Sequence, residues 1–82
     1  MTAMNAYTER ADAQLEGDLE ARAASEGERL CVEPITLSSW AARLTDASDP
    51  AAVHIEAAAF SRRGAMVALL HKDDRLRRRA RR

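Results

Sequence analysis

Ser38–Phe60 reads SSWAARLTDASDPAAVHIEAAAF, and the fold turns on this stretch. Alanine recurs through it, and alanine is the strongest helix former. Trp40 and Leu44 stand one helical turn apart behind Ser38, a fair N-cap, which predicts a short helix near 39–46. Asp49 followed by Pro50 is a helix start signal, because proline lacks only an N–H that the first turn leaves unpaired anyway. Beyond it Val53, Ala57, Phe60, Gly64, Val67 and His71 recur three or four apart. Ile55, Ala59, Met66, Leu69 and Leu70 widen that stripe. The spacing predicts a longer helix over about 50–78, which Gly64 either breaks or interrupts only weakly. Unbroken, it would span about 43 Å at 1.5 Å per residue.

Working back toward the N-terminus, Met4, Tyr7, Ala11, Leu15, Leu19 and Ala23 fall on one stripe, with charged residues between them. They predict a helix over about 3–26, stopped by Gly27. Between the helices, Pro34 interrupts Leu30, Cys31, Val32, Ile35 and Leu37. Residues 28–37 read as an extended connector burying Leu30, Val32, Ile35 and Leu37, since a lone strand has nothing to pair with. The expected fold is therefore all-α, a single helical domain over 1–82 with an arginine-rich end at 75–82.

Size argues for a partner. Hydrophobic residues are 46% of the 82, but eighteen of them are alanine and bring little apolar area. A helical chain with so few large side chains is marginal alone, so dimerisation is expected to complete the core. Net charge is zero, from 13 basic and 13 acidic residues. The halves differ: residues 1–33 carry eight acids and three bases, a charge of −5, and residues 34–82 carry five acids and ten bases, a charge of +5. Such halves attract, within a chain or between chains. Cys31 is the sole cysteine, which fits a reducing cytoplasm. No signal peptide or membrane span is evident, and AMVALL at 65–70 is far too short to cross a bilayer.

No constellation suggests catalysis. His54 and Glu56 are two apart, on different faces of a helix. His71 and Asp74 can share a face, but two ligands make no metal site. Cys31 has no histidine near it in sequence, Ser38 and Ser39 have no base, and no phosphate-binding glycine loop exists. The expectation is a non-enzymatic protein with no cofactor and no metal. A helix-turn-helix over Ile35–Phe60 is disfavoured, because its second helix would offer alanine where base readers are wanted.

Two candidate surfaces remain. Trp40, Phe60, Met66, Val67, Leu69 and Leu70 are the largest apolar side chains in one region and read as a partner or dimer interface, or simply as core. Arg75, Arg77, Arg78, Arg79, Arg81 and Arg82 can neutralise phosphates, complement a helix dipole, or dock on acidic protein. No aromatic residue is interleaved to stack on bases.

In type, the chain resembles the small, alanine- and arginine-rich accessory proteins of bacteriophages and mobile elements in bacteria with G- and C-rich genes. The resemblance covers no motif and carries over no residue. It implies a protein that binds and redirects or blocks a host machine. The sequence thus points to a cytoplasmic homodimer regulating a larger host or cognate protein. Phe60→Asp or Leu69→Asp is expected to abolish that contact. The competing reading is a nucleic-acid-binding protein, or a repressor or antitoxin, that uses the arginine end.

Overall fold

The computed structural model describes residues 7–80. It corrects the all-α expectation: a three-stranded antiparallel sheet stands between two helices in the chain. Helix α1 is Asp12–Ser25. Strands β1 (Glu28–Thr36), β2 (Ser39–Asp46) and β3 (Asp49–Ala59) follow as a meander in the order β1-β2-β3. Helix α2 is Arg62–Ala80. The stretch read as a short helix near 39–46 is the central strand. The first third of the helix expected over 50–78 is an edge strand.

Register explains why these residues choose strands. Leu30, Leu44 and Ile55 lie side by side across the sheet, as do Val32, Ala42 and Ala57. With Trp40 and Ala59 they form the face against which both helices pack. The connector at 28–37 finds its pairing partner in the segment that composition favours as helix. Alanine's helix propensity is worth only tenths of a kcal/mol per residue over a strand former, and burial against the sheet face outweighs it.

The core lies between that face and the helices. Leu15, Leu19, Leu44, Met66, Leu69 and Leu70 are fully buried within one chain. Leu30 and Val32 pack against this core as expected, whereas Ile35 and Leu37 are exposed rather than buried. The N-terminal stripe holds through Leu15, Leu19 and Ala23, but Ala11 has extended backbone (ψ 154°) and α1 starts only after it. Met4 lies outside the described residues. Gly27 ends α1 at φ +67°, the left-handed conformation that glycine adopts without a Cβ clash.

The ion pairs show that the helices run parallel. Asp12 and Glu16 near the start of α1 meet Arg63 and Arg62, while Arg22 and Glu26 near its end meet Asp73 and Arg77. Ser61 caps α2, its Oγ accepting from the Gly64 N–H at 2.9 Å. Gly64 lies inside α2, where an added Cβ would stand 3.1 Å from the Ala59 Cβ. Small residues therefore let the first turn of α2 approach β3 closely.

Candidate functional site

The strand register brings three apolar residues to one end of the sheet. Leu37 occupies the β1–β2 turn, Ile35 precedes it, and Phe60 follows Ala59, the partner of Trp40 on the adjacent strand. All three are exposed: Phe60 at 90%, Ile35 at 53%, and Leu37 fully. A benzyl group left in water at that level is not part of the core. Sequence reasoning found Phe60 but assigned Ile35 and Leu37 to the interior. The signal for Leu37 was its position in a tight turn, which the helix reading obscured.

The six residues read as one apolar surface divide here. Met66, Leu69 and Leu70 are fully buried in the monomer's own core, and Trp40 and Val67 pack against it partly buried. Phe60 alone of the six points outward. Leu69→Asp would therefore break the fold, not a contact surface.

A polar network fastens α1 to α2. Arg22 Nη1 donates to Asp73 Oδ2 at 2.9 Å and to Asp74 Oδ1 at 2.7 Å, and Nη2 donates to the Tyr7 hydroxyl at 3.0 Å. That hydroxyl in turn donates to Asp74. Burial pushes the Tyr7 phenol above its ordinary value, and the bond to Asp74 adds to this. Burial alone would raise the Asp74 carboxyl, but the Tyr7 hydroxyl and the Arg22 guanidinium outweigh it and hold the group low. His71, a possible ligand by sequence, instead meets the Tyr7 ring edge-on at 5.0 Å between centroids. His54 is the extra residue of a bulge in β3 and bonds Glu28 across the sheet. On the face away from the helices, Arg43 bridges Glu33 and Glu56 on the flanking strands, beside the free thiol of Cys31. Among the described residues no group of three or more His, Cys, Asp or Glu is placed to hold a metal ion. These networks join elements to one another, and their charges are spent internally.

Such pairing reaches most cations. Arg10 bonds Asp18, Arg62 bonds Glu16 at 2.7 Å, and Arg63 bonds Asp12 at 2.7 Å. Lys72 donates to the Glu56 carbonyl at 2.8 Å, covering a backbone acceptor on the edge strand. Arg77 is engaged by Asp73 at 2.7 Å and by Glu26 at 3.5 Å. The guanidiniums without a carboxylate partner among the described residues are Arg29, Arg75, Arg78 and Arg79. The acidic first helix thus neutralises the start of α2 and Arg77, and leaves the rest of the arginine end alone. Arg81 and Arg82 lie outside the described residues.

Among the described residues no helix is long and apolar enough to cross a membrane. The helix-turn-helix arrangement is absent, because its segment forms β2 and β3. Comparisons with family models, curated proteins and solved structures return no match.

Proposed function

We propose that this protein works without catalysis, by binding a larger host or cognate protein through the apolar end of its sheet. The observation that carries the reading is the exposure of Phe60 and Leu37, beside the half-exposed Ile35, at one end of the sheet. Covering both side chains is worth about 3–6 kcal/mol, enough for them to anchor an interface. Aromatic anchors of this kind are enriched at protein interfaces. The β1–β2 turn and the end of β3 present the two side chains at the same end of the sheet. The lone cysteine supports a cytoplasmic setting.

The partner in this reading is another protein, and a second copy of the chain is the occupant that solution mass distinguishes. The core closes within one chain, so dimerisation is not needed to build it. The test immobilises wild type, Leu37→Asp, Phe60→Asp and a variant lacking the charges of Arg75, Arg78 and Arg79. A protein retained by wild type and by the arginine variant, but lost with both aspartate variants, supports the reading. Retention indifferent to both aspartates contradicts it. Sedimentation in parallel shows whether the retained chain is the protein itself.

A further inference from the structure

We infer that Arg75, Arg78 and Arg79 form a second contact surface, for the phosphate backbone of nucleic acid. Arg78 and Arg79 stand three and four residues beyond Arg75 and so flank it one turn along α2. None has a carboxylate partner among the described residues, although Asp73, Asp74 and Glu26 are close in the fold. Those acids are already held by Arg22 and Arg77. Like charges at this spacing repel, and no neighbour in the described fold relieves them. Arg78 and Arg79 stand in the last turn with Arg77 and complement the helix dipole, but Arg75 lies before that turn, so the dipole does not account for the three together.

The surroundings select the partner's chemistry. Besides Leu76, which is half exposed, no large apolar side chain accompanies the arginines. A folded protein surface would need an apolar anchor beside them, because exposed ion pairs alone bring little affinity. A phosphodiester chain needs no anchor. Its condensed counterions are released when phosphates are neutralised, and the planar guanidinium fork matches phosphate oxygens in pairs. The surface is also remote from the apolar end: from Phe60 to Arg78 the chain follows α2 for about 24 Å. One end can therefore hold a protein while the other holds nucleic acid, and neither assignment depends on the other.

The test measures binding of labelled DNA and RNA duplexes of about two helical turns between about 50 and 200 mM KCl. The full chain is compared with R75Q/R78Q/R79Q, with R77Q, and with binding to a folded acidic protein of similar net charge. Removing three phosphate contacts is expected to flatten the slope of log K against log salt by about 2.7, which removes about a 40-fold salt effect over that range. R77Q, whose arginine is already engaged, is expected to leave the slope within about 0.3 of wild type. Either duplex behaving so carries the inference. A triple variant with the wild-type slope would overturn it. So would a flattening by R77Q of about one third of the triple variant's, as expected of a phosphate contact, or tighter binding to the acidic protein than to both duplexes.

Discussion

Phe60 and Leu69 stand on what the sequence reads as one continuous helical stripe, and the fold separates them completely. Leu69 is fully buried between α2 and the sheet, whereas Phe60 is 90% exposed. The same substitution by aspartate should therefore have opposite consequences. Deleting a buried leucine costs about 2–5 kcal/mol, and an unpaired carboxylate in that site costs several more. A chain of 82 residues has about 4–12 kcal/mol of total stability at typical values per residue. Leu69→Asp should thus leave little folded protein at neutral pH. Phe60→Asp changes a solvated side chain and should shift stability by no more than about 0.5 kcal/mol. Urea titration followed by far-UV circular dichroism reads both. A cooperative transition near the wild-type midpoint for Phe60→Asp, and none for Leu69→Asp, is the expected pair. Equal damage from both, or a folded Leu69→Asp protein, would contradict the separation of the two residues.

Further predictions concern the helix seam and the glycines. Arg22→Met removes the donors to Asp73, Asp74 and Tyr7 and should cost about 2–3 kcal/mol in urea titration, discounted for partial exposure, against under about 0.5 for Arg10→Met on the surface. Asp74 is held below its ordinary carboxylate value in the folded state, so its contribution is present above about pH 4 and is lost as pH falls through the lower, folded value. Acid titration of wild type should show this loss, and Arg22→Met should flatten it. Gly27→Ala forces alanine to φ +67° and should cost about 1 kcal/mol, whereas Gly17→Ala, in open space within α1, should stabilise by about 0.5–1 kcal/mol; thermal melts check both signs.

The buried faces of the two helices were legible in the sequence and the sheet between them was not. Leu15, Leu19 and Ala23 repeat at helical spacing and are buried as that spacing requires, and Gly27 stops the helix where its φ demands glycine. Met66, Leu69 and Leu70 likewise mark the buried side of α2. In the middle two periods competed. Trp40, Ala42 and Leu44 alternate with Ala41, Arg43 and Thr45, the period of a strand, and Val53 and Ile55 favour sheet. Alanine masked that alternation because it suits helices and yet also fits beneath them. Ala59, 3.1 Å from where a Cβ on Gly64 would stand, shows why a small residue is needed there. Asp49-Pro50 misled for a related reason, since proline fits the first residues of an edge strand as well as those of a helix. Of the candidate surfaces, Phe60 and the arginines could be nominated by residue type. Which arginines are free depended on ion pairs between residues more than fifty positions apart, such as Arg22–Asp73, and no local pattern encodes those.

The exposure of Phe60 and the turn at Leu37 depend on Ser39–Ala59 forming two paired strands. Nuclear Overhauser contacts in isotope-labelled protein test that pairing directly. Cross-strand contacts between the backbones of Leu44 and Ile55, Arg43 and Glu56, and Val32 and Ala42 are expected from the register. Contacts between residues three apart along 50–60, with the cross-strand set missing, would mean a helix there and would contradict the fold and the apolar surface built on it.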